Sequence, residues 1–328
     1  MVLILSRKDV ESLLTMRDTL DIVEEGFRQL SIGNVIMPQR PVIHVEREQG
    51  IFLIMPAYVS GEMNIFSNKI VAVYPNNPEK YRLPTILASI TLYDVKTGEL
   101  LSIMDGSSIT AMRTGAASGV ATKYLARKDS KVVGILGTGV QARTQIEAVC
   151  EVLNIESVKA YGLDPDQTQH FCQEMGEKLS IEMKPCRNSE ATVEGSDVVI
   201  LATSSKTPVL DGNCLDKGTH INAIGSHTPA TRELDDISVQ RSKIIVDLKE
   251  AALSEAGDLL IPIGRGALPQ DPVYAELGEI VTGRKRGRTN DQEITLFKSV
   301  GLAVQDAAAA FKTYSLAREA GFGKNASI

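Results

Sequence analysis

The sequence predicts an α/β fold in which a Rossmann-type, doubly wound parallel sheet is joined to a second region of α+β structure. In residues 131–248, apolar segments of strand length alternate with helical segments, which is typical of a parallel sheet. The segment at 198–202 is apolar on both faces of a strand, as a sheet covered by helices on both sides requires. Residues 40–104 contain strand pairs separated by turn signals instead, and this predicts an antiparallel sheet.

The first region begins with two helices, whose starts are the capping patterns Ser6-x-x-Asp9 and Thr15-x-x-Asp18. Gly33 is the predicted C-terminal cap of the second helix. The strands that follow are predicted at 42–45, 51–54, 70–74, 87–93 and 99–104, with turns at 48–50 and 95–98. A helix rich in alanine and glycine is predicted at 108–125.

The second region is predicted to hold six strands, at 131–136, 157–161, 181–185, 197–202, 219–224 and 243–248. We therefore expect an α+β domain at 1–120 and a Rossmann domain at 121–301. The last helix, within 302–328, could complete either domain, and we assign it to the first.

Composition excludes several classes of protein. Hydrophobic residues make up 43% of the 328 residues and charged residues 23%, as in an ordinary globular protein. A net charge of −6 argues against a general nucleic-acid or membrane-surface binder. The apolar N-terminal run is too short for a signal peptide, and no segment is long enough to span a bilayer. The four cysteines form no C-x-x-C pair, so we expect reduced, structural thiols, no metal site and a cytoplasmic protein.

The motif that indicates a cofactor is at 132–142, VVGILGTGVQA, where an apolar strand leads into Gly-x-Gly-x-x-Ala and a helix. Gly137 permits the tight turn, Gly139 lets backbone N–H groups approach a diphosphate, and Ala142 lets the helix pack on the strand. The helix dipole then favours the diphosphate charge. A purely structural glycine turn is the alternative interpretation of this motif.

The choice between NAD and NADP depends on the end of the second strand, where an acidic residue usually binds the adenosine ribose. Gly162 stands at that position, and Asp164 follows two residues later. The missing carboxylate would admit a 2′-phosphate, and Arg143 is a candidate phosphate partner. The cofactor is therefore NAD or NADP, and we favour NADP.

Three cations outside the glycine motif are candidates for binding a substrate carboxylate: Arg40, Lys69 and Arg113. Arginine can bind a carboxylate through two parallel hydrogen bonds, and lysine can also donate a proton. Taken singly, each is more typical of an exposed surface residue. The basic run at 284–288 is interpreted as a solvated loop.

The whole chain resembles the ornithine cyclodeaminase and mu-crystallin family. The motifs that carry the resemblance occur in order along the chain, at 37–40 (MPQR), 55–58 (MPAY), 68–78 (NKIVAVYPNNP), 83–85 (LPT), 110–118 (TAMRTGAAS), 137–142 (GTGVQA), 221–225 (INAIG), 274–280 (YAELGEI) and 299–306 (SVGLAVQD).

The resemblance implies a homodimer whose first domain carries the dimer interface and binds a small imino or amino acid through Arg40, Lys69 and Arg113. It also implies that the substrate pocket ends at Gly301. The residues that would contact the dinucleotide are Thr85, Arg113, Gly137, Gly139, Val140, Gln141, Ala142, Gly162, Thr203, Ile224, Gly225 and Val300.

One position departs from the cyclodeaminases, in which an aspartate handles the amino groups of the substrate. This chain has His227 there, within Gly225-Ser226-His227. A histidine supplies no fixed anion for a second ammonium group, but it can act as a general acid or base near neutral pH. A loop histidine that only packs is the alternative interpretation. His44, His170 and His220 show no metal-ligand spacing and are taken as structural.

Together these features favour an NAD(P)H-dependent reductase of a small cyclic ketimine such as Δ1-pyrroline-2-carboxylate. Lys69, Arg40 and Arg113 would be catalytic, with His227 as a proton relay. The alternatives are an alanine-type amino acid dehydrogenase, an ornithine cyclodeaminase and a non-catalytic binding protein. The presence of all three cations argues against a simple loss of activity.

Overall fold

The computed structural model describes residues 1–327 of the chain. Within that range the strands are β1 (Val2–Leu5), β2 (Val35–Ile36), β3 (Val42–Val45), β4 (Gly50–Val59), β5 (Ile65–Val73), β6 (Ile86–Asp94), β7 (Leu100–Asp105), β8 (Val132–Leu136), β9 (Ser157–Tyr161), β10 (Glu182–Pro185), β11 (Val198–Leu201), β12 (His220–Ala223), β13 (Ser242–Val246), β14 (Ala275–Glu276), β15 (Ile294–Lys298) and β16 (Lys324–Ala326).

The helices of the same range are α1 (Arg7–Leu13), α2 (Met16–Ser31), α3 (Asn77–Tyr81), α4 (Gly106–Leu125), α5 (Val140–Val152), α6 (Pro165–Leu179), α7 (Ser189–Val193), α8 (Asp236–Arg241), α9 (Lys249–Glu255), α10 (Gly257–Gly264), α11 (Leu277–Val281) and α12 (Ala303–Ala320). Short 3-10 helices lie at Glu46–Glu48 and Gly212–Cys214.

The chain forms two compact units. Unit 1 consists of Met1–Arg113 and Leu302–Ile328, and unit 2 consists of Thr114–Gly301. The division falls within α4, ahead of residue 120, and α12 belongs to unit 1. The assignment of substrate to one domain and cofactor to the other stays a prediction.

Unit 1 is built on a mixed sheet with the strand order β16-β1-β7-β6-β5-β4-β2, and β3 also pairs with β4. Strands β4 to β7 pair antiparallel, as predicted, whereas β1 pairs with β7 in parallel. β4 and β5 extend beyond the predicted segments and pair from Ile51 opposite Val73 to Val59 opposite Ile65. Pro56 is tolerated because it lies between the stretches of β4 that pair with β3 and with β2, where its missing N–H costs no ladder bond on that edge.

The core of unit 1 lies between this sheet and α12. Side chains of β4 and β5 alternate between buried and partly exposed positions, and α12 packs against β4, β5 and β6. α2 packs in turn on α12, where a Cβ on Gly26 would lie only 3.4 Å from the Cβ of Ala308. The alanines of α12 therefore allow a helix to fit between a sheet and a second helix.

Both predicted helix caps in unit 1 are confirmed. The side chain of Ser6 accepts a hydrogen bond from the Asp9 N–H, and that of Thr15 accepts one from the Asp18 N–H. Gly33 has a φ of +85° and follows the last turn of α2, as expected of a C-terminal glycine.

Unit 2 contains a parallel sheet with the strand order β10-β9-β8-β11-β12-β15-β13-β14. Strands β8 to β10 are added toward one edge of the sheet and β11 onward toward the other, so the strand order reverses between β8 and β11, which is the switch point of a doubly wound sheet. The faces of the strands are buried in two separate cores. Val133 and Ile135 contribute to a core with α5 and α6, whereas Val199 and Leu201 contribute to a core with α8 and α10. The predicted Rossmann-type, doubly wound fold is confirmed.

Five strands were not predicted: β1, β2, β14, β15 and β16. β1 is the apolar N-terminal run, which pairs with β7 on one side and with β16 on the other. β15 lies between β12 and β13 and is buried along its whole length although it ends in Lys298. Its Thr295 and Lys298 obscure the apolar pattern, because each has a buried hydrogen-bond partner that only the tertiary structure supplies.

The prediction that the basic run at 284–288 is simply a solvated loop is wrong for Arg288. Its guanidinium donates to the carbonyl oxygens of Leu125 and Glu293, both at 2.6 Å, and to the Thr295 hydroxyl at 3.1 Å. Arg288 thus ties the end of α4 to β15 within unit 2, because three fixed acceptors match the geometry of one guanidinium.

All four cysteines are free, and burial raises the pKa of Cys150 to about 12 and that of Cys172 to about 11. These two thiols therefore stay protonated and unreactive near neutral pH. Among residues 1–327, no helix combines the length and the apolar character that crossing a bilayer requires.

Candidate active site

The most unusual feature of unit 1 is a buried cluster of two cations and one carboxylate. Lys69 points into the core from β5 and is 1% exposed, and Arg113 is 5% exposed. The Lys69 Nζ lies 2.7 Å from Asp306 Oδ2, and the Arg113 Nε donates to Asp306 Oδ1 at 2.9 Å. Asp306 itself is fully buried in the first turns of α12. One carboxylate therefore holds two of the three predicted substrate cations, Lys69 and Arg113, in place.

The cluster changes the acidity of Lys69. Burial is the main cause, followed by the positive charge of Arg113, and together they lower the pKa of Lys69 to about 7 despite the opposing effect of Asp306. Lys69 also donates to the Thr110 hydroxyl at 3.3 Å. A lysine with this pKa can either donate or accept a proton near neutral pH, as a general acid or base must.

Arg40 and Thr85 are the other predicted site residues of unit 1. Arg40 is half-buried between β2 and β3, and its charge contributes to the lowered pKa of Lys69. Thr85 is half-buried at the start of β6, and its carbonyl oxygen accepts the Tyr74 N–H at 2.8 Å. Arg40 is therefore in electrostatic range of the cluster.

The glycine turn of unit 2 has the geometry that its sequence predicts. Gly137 has a φ of +101°, and a Cβ on it would collide with the carbonyl oxygen of Ala202. Gly139 is the N-cap of α5, and a Cβ built on it would have no atom within 4 Å. Ala142 is fully buried and packs in the core between α5 and β8. Only glycine fits at the first position, and open space lies beside the second.

The N-terminus of α5, which follows the glycine turn, has the features that a bound diphosphate requires. α5 is 13 residues long, and within the described part of the chain no side chain caps its N-terminus. Val140 is 70% exposed at its first position, and the Oε1 of Gln141 has no donor among the described residues. Free N–H groups at a helix N-terminus beside an open cradle match the diphosphate of NAD(P). The residues present therefore fit this cofactor.

The end of β9 has neither a carboxylate at Gly162 to bind the adenosine ribose nor an arginine to bind a 2′-phosphate. A Cβ on Gly162 would lie 2.8 Å from Thr168 Oγ1, so this position favours glycine. Asp164 caps α6 by accepting the N–H groups of Asp166 and Gln167, both at 3.0 Å.

The structure contradicts the suggestion that Arg143 binds a phosphate. Its Nε and Nη2 pair with Glu174, and its Nη1 donates to the carbonyl oxygens of Thr138 and Gly139 at 3.1 Å. Arg143 instead stabilises the glycine turn from the side, because four of its five N–H groups bond Glu174 and the carbonyl oxygens of the turn.

Two buried carboxylates that sequence reasoning missed fix the loops around the predicted cofactor residues of unit 2. Glu233 accepts hydrogen bonds from the Thr203 and Gly225 N–H groups at 2.7 Å and from the Ser226 N–H at 3.2 Å. It joins the residues that follow β11 to those that follow β12, beside Ile224. Burial raises the pKa of Glu233, and the nearby Lys298 opposes that shift.

Asp247 has the same function at the end of β13. Its Oδ2 accepts the Ser299 hydroxyl and the N–H groups of Val300 and Gly301, all at 2.8 Å. Gly301 has a φ of +82° and needs this support, since a turn in that conformation is otherwise weakly determined. Val300 is buried beside it.

The histidines differ sharply in environment. His227 is exposed in the loop after β12, and its Nδ1 lies 3.4 Å from the Gly225 carbonyl oxygen. His220 is fully buried between Thr295 and Asn222, and burial lowers its pKa to about 3, so it stays neutral. Among the described residues, no group of three His, Cys, Asp or Glu side chains has a metal-binding arrangement.

The sequence contained a signal for Asp306. It interrupts an apolar, alanine-rich helix with a charge, and a charge on a buried helix requires a partner. Asp247 similarly follows the apolar segment Ile244-Ile245-Val246. Glu233 had no comparable signal, because it lies in a polar segment.

The glycine turn and the doubly wound sheet give unit 2 the architecture of a dinucleotide-binding fold. The model of the ornithine cyclodeaminase/mu-crystallin family matches residues 2–321. The chain belongs to this family, and the predicted membership is confirmed.

Three relatives give the comparison more detail. The structure of Δ1-pyrroline-2-carboxylate reductase from Thermococcus litoralis, in complex with NADH and L-proline, is 49% identical with a TM-score of 0.96, over 99% of this chain and 100% of that one. An archaeal alanine dehydrogenase dimer with bound NAD is 37% identical with a TM-score of 0.92, over 98% of each chain. The Δ1-pyrroline-2-carboxylate reductase of Bacillus cereus is 38% identical over 323 residues, 98% of each chain.

The two glycines of the turn provide a matched pair of variants. We expect Gly137→Ala to lower the free energy of unfolding by about 1–3 kcal/mol, because alanine is strained at this φ and meets Ala202. We expect Gly139→Ala to keep its stability within about 0.5 kcal/mol. Its methyl group should nevertheless weaken NADPH binding at least about tenfold, because it occupies the predicted diphosphate space.

Urea unfolding and a fluorescence titration with NADPH measure both effects. Wild-type affinity in Gly139→Ala would contradict the assignment of the diphosphate to this turn.

Proposed function

We propose that this protein is an NAD(P)H-dependent reductase of a small cyclic α-imino acid, with Δ1-pyrroline-2-carboxylate as the substrate and L-proline as the product. The buried Lys69, held between Asp306 and Arg113, is the observation that carries the proposal. Reduction of a ketimine carboxylate needs a cation for the carboxylate and a proton for the nitrogen, and this cluster supplies both. The reductases of Thermococcus litoralis and Bacillus cereus support the choice of substrate.

In the proposed reaction, unit 1 binds the substrate. Arg113 and Arg40 bind and orient the carboxylate, and positioning of this kind makes the reaction effectively unimolecular. Lys69 donates its proton to the imine nitrogen as the C=N π electrons become the nitrogen lone pair.

Unit 2 holds the dinucleotide in this proposal, with its diphosphate at Gly137, Gly139 and the N-terminus of α5. The remaining contacts to the dinucleotide come from eight residues of unit 2, together with Thr85 and Arg113 of unit 1. The residues of unit 2 are Val140, Gln141, Ala142, Gly162, Thr203, Ile224, Gly225 and Val300. Gly301 closes the substrate pocket. The bound cofactor would supply the hydride that forms the new C–H bond.

The low pKa of Lys69 suits this sequence of events. In the free protein the ammonium and neutral amine forms of Lys69 are both present near neutral pH, because its pKa is about 7. An anionic carboxylate beside Arg113 adds negative charge to the cluster and favours the protonated lysine. Substrate binding would therefore favour protonation of Lys69, which supplies the proton that the reaction consumes.

His227 serves in this proposal as a relay that returns a proton to the site from solvent. Its exposure suits exchange with water, and an imidazole can carry a proton near neutral pH. It also disfavours ornithine as a substrate, because it places no fixed anion where a second ammonium group would bind.

We propose that NADP is preferred to NAD, although either can serve as the cofactor. No carboxylate stands at Gly162, and the Asp164 carboxylate is engaged in capping α6. A 2′-phosphate would therefore meet no fixed negative charge at that strand end.

We also propose that the protein works as a homodimer in the cytoplasm. Ile70, Ile86 and Leu87 are between 38% and 44% exposed on β5 and β6. A second copy would cover these side chains, and the archaeal alanine dehydrogenase is itself described as a dimer. Light scattering distinguishes a dimer from the 35.5 kDa monomer.

The proposed activity is tested by following NADPH absorbance with freshly generated Δ1-pyrroline-2-carboxylate. We expect NADPH oxidation with formation of L-proline, and no ammonia from ornithine plus NAD. Lys69→Ala should lose at least about a hundredfold in kcat, the effect of removing a general acid, and keep its NADPH affinity.

Three outcomes would contradict the proposal. Turnover of pyruvate and ammonia alone would favour an alanine dehydrogenase. Ammonia from ornithine would favour a cyclodeaminase, and tight NADPH binding without any turnover would favour a binding protein.

The pH dependence tests the proton donor. We expect kcat/KM for imine reduction to fall as pH rises through the Lys69 pKa of about 7, because the protonated form is the donor. L-Proline oxidation should rise over the same range, since it needs the neutral amine. The break in kcat should lie at higher pH, because bound substrate favours the ammonium form.

Lys69→Arg is the control for this titration, because a guanidinium does not titrate in this range. An identical break in the residual activity of Lys69→Arg would assign the ionisation to another group.

The cofactor preference is tested at Leu163, which is 94% exposed directly after Gly162. We expect Leu163→Asp to raise KM for NADPH relative to NADH by about tenfold, because the new carboxylate repels the 2′-phosphate. Leu163→Asn keeps the size without the charge and should leave the ratio unchanged. Equal ratios in both variants would place the ribose elsewhere.

A further inference from the structure

The side-chain amide of Gln305, which lies in this cluster, has an incomplete set of hydrogen bonds among the described residues. Gln305 precedes Asp306 in the first turn of α12 and is 1% exposed. Its Oε1 accepts the Arg113 Nη1 at 2.6 Å and the Leu302 N–H at 3.2 Å. Its Nε2 has no acceptor among the described residues.

The orientation of this amide is fixed by its two partners. Arginine and a backbone N–H are both donors, so the atom that meets them has to be the oxygen. The nitrogen must therefore occupy the other position, and rotating the amide by 180° would oppose donors to donors. A buried NH₂ group without an acceptor is unfavourable, and groups of this kind are rare in folded proteins.

No acceptor among the described residues pairs with the Gln305 Nε2. The two oxygens of Asp306 are engaged by Lys69 and Arg113. The Thr110 hydroxyl accepts from Lys69 and donates to the Gly106 carbonyl oxygen. A bound molecule can supply the acceptor that the Gln305 Nε2 lacks, and a carboxylate oxygen is the acceptor that this cationic cluster attracts.

We infer that Gln305 is a substrate-binding residue, whose Nε2 donates a hydrogen bond to the substrate carboxylate beside Arg113. The inference rests on the proposed function and assigns its carboxylate a third ligand in addition to Arg40 and Arg113. The amide also adds selectivity, because its N–H groups require an acceptor and would be left unpaired by a ligand that lacks the carboxylate.

Two variants of Gln305 separate its two hydrogen-bonding atoms. Gln305→Glu keeps an oxygen for Arg113 and Leu302 but replaces the donor with a second oxygen that repels a carboxylate. Gln305→Met keeps the length of the side chain and removes both polar atoms. Thr313→Val is the matched control, because Thr313 is buried on the same helix and its hydroxyl donates to the Ala309 carbonyl oxygen within that helix.

The measurement is L-proline affinity in the presence of NADPH, together with KM and kcat for the imine. We expect Gln305→Glu to weaken L-proline binding by at least tenfold and Gln305→Met to weaken it less. In Gln305→Met, KM should rise more than kcat falls, because the contact is made to the bound substrate and the transition state alike. Thr313→Val should leave both quantities unchanged.

Wild-type protein offers an independent readout if a variant does not fold. The side-chain amide protons of Gln305, labelled with ¹⁵N, should shift on addition of L-proline. Any one of three results would overturn the inference alone. These are unchanged L-proline affinity in both folded variants, an equal loss of affinity in Thr313→Val, and a Gln305 amide signal that does not shift when L-proline is added. A wild-type protein that binds neither L-proline nor L-alanine would overturn the proposed function as well.

Discussion

Two cations and one carboxylate share a site in unit 1 that is almost closed to solvent, and the Asp306 carboxylate is the group that makes this arrangement stable. Removing Asp306 would leave Lys69 and Arg113 as like charges at low dielectric, which is strongly unfavourable. With Asp306 present, both cations have an anionic partner, and Lys69 retains a pKa of about 7. The alanine-rich α12 delivers this carboxylate because small side chains let it pack directly on β4 and β5.

Unit 2 uses buried carboxylates for a different purpose. Glu233 and Asp247 accept backbone N–H groups from segments that follow β11, β12 and β15, so each fixes a loop at the carboxyl end of the parallel sheet. This is the edge at which doubly wound sheets bind their ligands. Unit 1 therefore uses its buried anion to set the charge of side chains, whereas unit 2 uses its buried anions to set the backbone.

The sequence predicted more of the fold than of the site. Caps, glycines and strand alternation are local signals, so the helix starts at Ser6 and Thr15 and the Gly137 turn were predicted correctly. β15 was missed because Thr295 and Lys298 disguise a buried strand whose polar partners are distant in sequence. Lys69 and Arg113 were named from motifs, but nothing local joined them to Asp306, more than 190 residues beyond Arg113 along the chain. Arg143 was named as a candidate phosphate partner because its actual partner, Glu174, lies 31 residues away and no local signal joins the two.

The titration of Lys69 near neutral pH within the Asp306 cluster is tested most directly by NMR of ¹³Cε-labelled lysine. We expect one lysine signal that titrates with a pKa of about 7, that disappears in Lys69→Arg, and that shifts to higher pH when L-proline and NADPH are bound. A Lys69 signal that stays in the ammonium form to above about pH 10, as in an ordinary surface lysine, would contradict it.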